Sequence, residues 1–254
     1  ERAILMDLSG SVALVTGGSG GLGRKICKSL AENGVRVAVG FLDGSERADD
    51  VCREILADGG NAIPVQFDQS DEDSIDRAVH AVVEKLGSLD ILVNNAAMAK
   101  GVPFPDLDAL SPELWDTTMQ VNLRGPWLVT RSAAPHLKKS ALGRVVNVAA
   151  MAGLKPMGAS IAQSVSKAGT IQLTRCLAVA MAPEVTVNCV APGLMEGTQL
   201  TQNISDAFRD SFKSQAILGT TTSLDDVAGQ IVQFCRSGSV TGQTLVIDGG
   251  VHFH

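Results

Sequence analysis

The sequence predicts one α/β domain built on a doubly wound parallel sheet. Short apolar runs alternate with longer amphipathic segments along nearly all of the 254 residues, which is the pattern of repeated strand–helix–strand units. The chain contains no linker, no repeat longer than such a unit and no low-complexity tract. Because 45% of the residues are hydrophobic, residues 1–254 can bury one sizeable core and are expected to form a single domain.

Each element is predicted from its own local pattern. Strands are expected where short runs rich in Val, Ile and Ala occur, at 11–15, 35–39, 62–67, 89–93, 144–148, 185–190 and 244–247. Helices are expected where apolar residues recur at helical spacing, in a segment ending at 30 and at 47–58, 72–86, 112–121, around 127–128, around 163–167 and at 224–235. Ser111 is the predicted N-cap of the helix that begins at Pro112.

Charge and cysteine content exclude several classes of function. A net charge of -6 and a pI near 5.2 argue against a nucleic-acid partner, which usually requires a basic face. The five cysteines are scattered without a CxxC pair, which indicates reduced thiols and no metal site. No apolar run suits a membrane span, the first seven residues lack a signal-peptide pattern, and the last three are not a peroxisomal SKL signal.

A glycine-rich turn between the first strand and the first helix predicts a phosphate-binding site. Residues 16–23 read TGGSGGLG, in which the glycines would let the backbone approach a pyrophosphate. The following helix would add free N–H groups and the positive end of its dipole. The sequence therefore predicts a dinucleotide cofactor in contact with Gly17, Ser19, Gly20, Gly21, Leu22 and Gly23.

The end of the second predicted strand bears on which dinucleotide binds. An acidic residue there would accept hydrogen bonds from the ribose of NAD, whereas its carboxylate would repel the 2′-phosphate of NADP. Gly40 and Phe41 occupy this end, and Asp43 comes later in the turn. This arrangement favours NADP(H) over NAD, with Phe41 among the cofactor contacts and Arg47 as a distant candidate for the phosphate.

Together these motifs resemble the short-chain dehydrogenase/reductase (SDR) family, over roughly residues 8–250. The glycine turn has the family's TGxxxGxG spacing, Asp68-Gln69-Ser70 resembles its Asp-Val-Ser, and residues 94–97 depart from its Asn-Asn-Ala-Gly only in ending on Ala. The resemblance implies a Rossmann-type sheet and a substrate lid at about 195–222. It also implies that Asp68 meets the adenine edge, although an Asp after a strand can instead cap a helix. The further implied cofactor contacts are Gln69, Asn95, Ala96, Lys167, Pro192, Gly193 and Met195.

The resemblance implies four catalytic residues, of which two are missing here. In the family a Tyr exchanges the proton at the substrate oxygen, a Ser binds that oxygen, a Lys holds the nicotinamide ribose, and an Asn holds a helix kink and a relay water. Asn122 and Lys167 match the last two, whereas Ala150 and Gln163 stand at the Ser and Tyr positions. The chain contains no tyrosine at all. Losing a general acid costs on the order of 10²–10⁴ in rate. Because Lys167 could still bind ribose hydroxyls without the phenol, we expect it to serve cofactor binding more than catalysis.

Three hypotheses follow from this depleted site. In the first, the chain binds NADP(H) and assists a catalytically complete SDR-type partner in reducing a small carbonyl or acyl substrate, as the non-catalytic subunit of plant benzaldehyde synthase does. In the second, the scaffold performs a different reaction, such as cyclisation, isomerisation or imine reduction. In the third, it is a weak carbonyl reductase. Homo- or hetero-oligomers are expected, in the cytoplasm, or in the peroxisome if a partner carries the chain there.

Overall fold

A seven-stranded parallel sheet forms the centre of the protein. The computed structural model describes residues 6–198, 201–202 and 204–253. Within them the strands lie in the order β3-β2-β1-β4-β5-β6-β7, and all neighbours pair in parallel. The strands are β1 Val12–Val15, β2 Arg36–Phe41, β3 Asn61–Gln66, β4 Ile91–Asn94, β5 Arg144–Val148, β6 Thr186–Pro192 and β7 Thr244–Ile247. The predicted doubly wound sheet is confirmed, and its winding reverses between β1 and β4, where such folds bind ligands.

Helices cover both faces of the sheet. They are α1 Gly21–Glu32, α2 Ser45–Ala57, α3 Glu72–Leu86, α4 Pro112–Met119, α5 Gly125–Leu137, α6 Ile161–Met181, α7 Asp206–Gln215 and α8 Leu224–Arg236. One apolar core lies between the sheet and α1, α2 and α8, and a second lies between the sheet and α3, α5 and α6. No helix in the described part of the chain combines the length and apolarity that a bilayer crossing requires.

The predicted bounds of α3, β5 and β7 are confirmed, but the helix predicted over 112–121 is wrong at its end. α4 stops at Met119, and Gln120–Arg124 form a wider π-helical turn that leads into α5. Pro126 has no N–H group to donate to the carbonyl four residues earlier, so regular α-helical bonding cannot run through this point. The kink that the SDR resemblance implied near Asn122 therefore has a local cause. Ser111 caps α4 as predicted, by accepting from Leu114 N–H.

Candidate functional site

The glycine turn leaves the first turn of α1 open to an anion. Gly17 has a φ of 62°, and a Cβ on Gly23 would lie 2.0 Å from the Gly17 carbonyl oxygen, so neither position accommodates a side chain. Gly20 is the N-cap, no side chain caps the helix, and its first turn holds no acidic residue. The glycine turn thus leaves a space, in front of free N–H groups, that side chains would fill. This space fits the pyrophosphate of a dinucleotide.

Thr16 fastens the glycine turn to the turn after β4. Its Oγ1 accepts hydrogen bonds from Asn95 N–H at 3.0 Å and Ala96 N–H at 2.9 Å. The Asn95 amide donates in return to the carbonyl oxygens of Thr16 at 2.9 Å and Gly17 at 3.1 Å. The predicted contacts at 17, 95 and 96 therefore meet in one crevice. Thr16 is the first residue of the TGxxxGxG motif, yet its hydrogen bonds to the turn after β4 were not predicted from the sequence.

The turn after β3 brings Asp68 and Gln69 to the same edge of the sheet. Asp68 does not cap α3, which Asp71 caps; its Oδ1 accepts from Ser70, and Oδ2 has no partner among the described residues. Gln69 is buried, and its amide donates to the carbonyl oxygens of Ala96 at 3.2 Å and Val121 at 2.8 Å. Asp68 thus keeps a free oxygen for a ligand, whereas the donors of Gln69 already hold the loops together.

The β2 end of the site lacks an acidic residue within the strand. β2 continues through Phe41, whose side chain packs in the core, so only its backbone can face a ligand; the same holds for Leu22. Arg47 folds over Gly44, whose φ is 77°, and donates to the Asp43 carbonyl oxygen at 3.3 Å. No described carboxylate pairs with Arg47. Its guanidinium is therefore available to an anion beyond the end of β2.

The segment after β6 lies over the glycine turn. A Cβ on Gly21 would sit 3.0 Å from the Gly197 carbonyl oxygen, so this segment and the start of α1 are in close contact. Met195 packs against the core, and Gly193 is enclosed by Phe212 and Thr222. The predicted lid, 195–222, contains α7; its residues 199, 200 and 203 lie outside the described residues.

The two ends of this lid are bonded to each other. Thr222 N–H donates to the Leu194 carbonyl oxygen at 2.8 Å, and Thr221 Oγ1 donates to Glu196 at 2.9 Å. Glu196 also pairs with Arg209 and Lys213 of α7. The pKa of Glu196 lies below its usual value, mainly because of the hydrogen bond from the Thr221 hydroxyl and to a smaller extent because of Lys213 and Arg209. The carboxylate therefore stays charged and ties the start of the lid to its helix and its end.

Asn122 is buried at the π-helical turn and is fully engaged. Its amide oxygen accepts from Met98 N–H at 2.8 Å, and its amide nitrogen donates to the Met98 carbonyl oxygen at 2.9 Å and to Ser166 Oγ at 3.2 Å. Its own carbonyl oxygen accepts from Thr170 Oγ1 at 3.3 Å. Asn122 thus joins the loop after β4 to α6, the helix that carries Lys167. Ser166 and Thr170 complete this link, which the sequence did not reveal.

Lys167 is buried, with 6% of its surface accessible. Its Nζ donates to the Val148 carbonyl oxygen, at the end of β5, at 2.8 Å. Burial lowers the pKa of Lys167 to about 8, partly offset by the nearby Cys189. Burial also raises the pKa of that thiol, so at neutral pH Cys189 is uncharged and offers no real counter-ion. Among the described residues the ammonium has one acceptor for its three N–H donors, which leaves two donors for a ligand.

Gln163 and Ala150 occupy the positions where the resemblance implies a Tyr and a Ser. Gln163 lies one helical turn before Lys167, and its Oε1 accepts from Ala159 N–H at 2.7 Å. Ala150 follows β5, beside the short 3₁₀ turn Met151–Gly153. Neither side chain exchanges a proton near neutral pH. The pairing of Gln163 with the loop before α6 was not predicted from the sequence.

An open groove of about 710 Å³ lies on the face formed by α4, the π-helical turn, α5 and α6. Leu123, Trp127 and Gly169 line it, and Trp127 is 40% exposed, with Arg131 over its ring. None of the predicted cofactor contacts lines this groove. It lies on the helix of Lys167 and the helix before it, where the SDR resemblance implies subunit contact, with close packing allowed by the small residues Ala159, Ala162, Ser164, Ala168 and Gly169. Gly169 lines the groove, whereas Ala162 is fully buried within the chain and offers no surface to a partner.

Comparisons with known proteins identify a family and several relatives with similar sequences or structures. The family described as short chain dehydrogenase matches residues 11–208. Ketoacyl reductase 2 of the granaticin polyketide synthase from Streptomyces violaceoruber is 41% identical, over 95% of this chain and 96% of that protein. A 3-oxoacyl-[acyl-carrier-protein] reductase from Synechocystis is 34% identical, over 96% and 98%. A short chain dehydrogenase from Burkholderia cenocepacia, solved with NADP, is 36% identical over 97% and 99%, with a TM-score of 0.88.

Proposed function

The chain belongs to the short-chain dehydrogenase family, and from this membership we propose that it binds NADP(H) and a small carbonyl or 3-oxoacyl substrate but reduces that substrate slowly by itself. The observation that carries this proposal is the contrast between the groups that the chain keeps and the two hydroxyl groups that it lacks. The glycine turn, Asn122 and Lys167 are kept, whereas Gln163 and Ala150 supply no hydroxyl.

NADP(H) is favoured over NAD by the second strand and by the relatives. The described end of β2 offers no carboxylate to bind a ribose diol or repel a 2′-phosphate, and Arg47 is without an acidic partner there. A relative of similar structure was solved with NADP. Bound NADPH would supply a hydride, while the glycine turn, Asp68, Asn95, Ala96, Pro192 and Gly193 would hold the nucleotide and Lys167 would donate to the nicotinamide ribose.

The substrate class follows from the names of the relatives and from the donors left in the site. Two similar proteins are named as ketoacyl or 3-oxoacyl reductases, so a 3-oxoacyl thioester is the first substrate to test. With Ala150 in place of a Ser, the carbonyl oxygen lacks a hydroxyl donor, and with Gln163 it lacks a side-chain acid. Losing the acid alone slows such a reduction by on the order of 10²–10⁴.

A slow lone chain is consistent with a role beside a catalytically complete SDR-type subunit, as in our first hypothesis. The groove around Trp127 offers an apolar surface for such a subunit or for a second copy. The narrower comparison with plant benzaldehyde synthase rests on the missing Ser and Tyr alone. The cytoplasmic or partner-borne peroxisomal location stays a prediction, to be tested by fractionating the native source.

The decisive experiment separates binding from turnover in the purified chain. NADPH is titrated by energy transfer from the protein's tryptophans, and reduction of acetoacetyl-CoA is then followed at saturating NADPH. We expect saturable binding that is tighter for NADPH than for NADH, with slow turnover. Restoring both residues, Ala150→Ser with Gln163→Tyr, should raise the turnover rate at least roughly 10²-fold because a phenol can donate the missing proton.

The matched control is Ala150→Ser with Gln163→Phe, which adds the ring without its hydroxyl. An equal gain in this control would show that ring shape, not proton transfer, limits the reaction. Turnover by the unaltered chain as fast as that of the Tyr variant would instead favour the second candidate, a 3-oxoacyl reductase that takes its proton from solvent. The names of the relatives favour that candidate.

A further inference from the structure

The loop before α6 is shaped around the side chain of Gln163. Ala159 N–H donates to Gln163 Oε1 at 2.7 Å, while Gln163 N–H donates to Ser160 Oγ, the helix cap, at 3.2 Å. Gly158 has a φ of 102°, and a Cβ there would lie 2.6 Å from the same Oε1. The amide oxygen therefore fills the space that a side chain at residue 158 would need.

The bond from Ala159 also fixes which way the amide points. A reversed amide would turn its NH₂ group toward the Ala159 N–H, so that a donor would face a donor. The oxygen must therefore face the loop, and the planar amide directs Nε2 away from it. No residue in the described part of the chain accepts a hydrogen bond from this nitrogen. A partly buried amide nitrogen with two free donors is ready for an acceptor from outside the chain.

We propose that Gln163 is a preset hydrogen-bond donor for the carbonyl oxygen of the substrate, and that Gly158 and Ala159 are its positioning residues. This inference rests on the proposed function and adds the way in which the site selects its substrate. Gln163, one helical turn before the buried Lys167, therefore places a fixed N–H donor there but no group that can give up a proton near neutral pH.

The donor geometry has a consequence for substrate class. An oxygen with lone pairs, as in a 3-oxoacyl thioester, can accept from Nε2. A protonated imine or amine presents N–H groups, which would oppose the two donors. The arrangement therefore favours carbonyl substrates and disfavours the imine reduction that the sequence left open. Ala152, whose methyl group lies beside Gly158, adds no competing donor.

The test measures binding in a complex that cannot react. Acetoacetyl-CoA is titrated by calorimetry into the chain saturated with NADP⁺, which has no hydride to give. Gln163→Met keeps the length of the side chain but removes the donor, so affinity should fall roughly three- to tenfold, the usual value of one hydrogen bond. Gln163→Glu should fall further, because one oxygen can still accept from Ala159 while the other meets the carbonyl with lone pairs and charge.

Positioning is tested separately with Gly158→Ala, which does not change Gln163 itself. The added methyl group should push the Gln163 amide out of its present position. The affinity of this variant for acetoacetyl-CoA should fall while its affinity for NADP⁺ is unchanged. The infrared stretch of the bound keto carbonyl supplies a second readout, since losing the hydrogen bond in Gln163→Met should raise its frequency. The control is Gln230→Glu, the same Gln-to-Glu change at an exposed position of α8 outside the groove, which should alter neither measurement.

The outcomes separate the inference from the function on which it rests. If wild type binds NADP⁺ and acetoacetyl-CoA but Gln163→Met and Gln163→Glu bind the thioester equally well, the inference is wrong and the proposed function stands. If wild type binds NADP⁺ but not the thioester, the substrate class fails, and the inference fails with it. Failure to bind NADP⁺ overturns both. Lower thioester affinity with an unshifted carbonyl stretch would also contradict a direct bond from Gln163.

Discussion

At the scale of single residues, Lys167 is the clearest case of a group that the site keeps although it lowers the stability of the fold. Its ammonium is buried with one carbonyl acceptor and an uncharged thiol nearby. Such a group is retained at a cost to stability, because burial disfavours the charged form. Anionic or oxygen-rich ligands would relieve that cost by taking up the two free donors. A buried cation kept after the loss of its expected phenol partner is therefore consistent with cofactor binding.

Removing this charge should stabilise the protein in a pH-dependent way. The pKa is about 8 when folded against a reference value of 10.5, so between these pH values the unfolded chain binds more protons and the free energy of unfolding rises with pH. Lys167→Met should therefore raise that free energy by up to about 3 kcal/mol at pH 7, and the gain should shrink as the pH rises from 8 to 10.5.

Urea unfolding of both proteins at several pH values measures this difference. The exposed Lys139→Met is the control for removing a lysine as such. A gain that stayed constant across the pH range would mean that Lys167 is not charged at a cost in the folded state. The comparison requires unliganded protein, because a bound cofactor would add its own stabilisation.

Residue-level predictions from the sequence were best where the chemistry is local. The glycine turn followed from a short motif whose geometry is set by neighbours in sequence. Asn95 and Asn122 were identified through the family resemblance alone, because they bond to residues far along the chain. The burial of Lys167 could not be predicted, since helical spacing places a side chain on a face but does not say what covers it. The Gln163–Ala159 bond was missed because it depends on a loop conformation that only the folded backbone defines.

At the scale of elements, the β1–α1 unit is specified by what its turn cannot accommodate. A methyl group on Gly23 would overlap the Gly17 carbonyl oxygen, which is backbone and cannot rotate away. The bounds of α3, β5 and β7 were predicted correctly because each has a clear period or cap. The π-helical turn was not, because its extra residue leaves the apolar pattern over 112–121 unbroken.

We expect Gly23→Ala to displace the glycine turn and to lower the affinity for NADPH at least about tenfold, which corresponds to about 1.4 kcal/mol. Fluorescence titration measures this loss, and circular dichroism confirms that the variant is folded. Gly229→Ala in α8 is the matched control, because its methyl group would meet no atom within 4 Å. Unchanged NADPH affinity in Gly23→Ala would show that the nucleotide does not bind at this turn.

At the scale of the whole molecule, the groove around Trp127 is the surface best suited to another subunit. It is open, apolar at its centre, and formed by the helix of Lys167 together with the helices before it. Assembly there would link subunit contact to the site through α6 and the Asn122–Ser166 bond. Subunit contact on this side stays a prediction from the sequence. Of the small residues named for it, Ala162 is buried, because small residues alone do not distinguish an inner from an outer face.

A charge placed in the groove should therefore weaken self-association. We expect Trp127→Glu to shift the chain toward smaller species in sedimentation experiments, because the new carboxylate would have to be buried in the contact. Leu56→Glu, at an exposed apolar position on α2, should leave the species unchanged. If both variants sediment like wild type and wild type is an oligomer, the contact lies elsewhere on the surface.

The hydrogen bond between Thr222 and Leu194 has a consequence for how this protein could evolve. The segment between those two residues therefore begins after β6 and ends before α8 at one place in the fold. Descendants could therefore exchange α7 and the residues after it for a segment of another length or composition, provided that the contact between Gly197 and Gly21 is kept. Substrate specificity could then change through this one segment while the sheet stays the same. Chimeras that exchange it between related chains should fold.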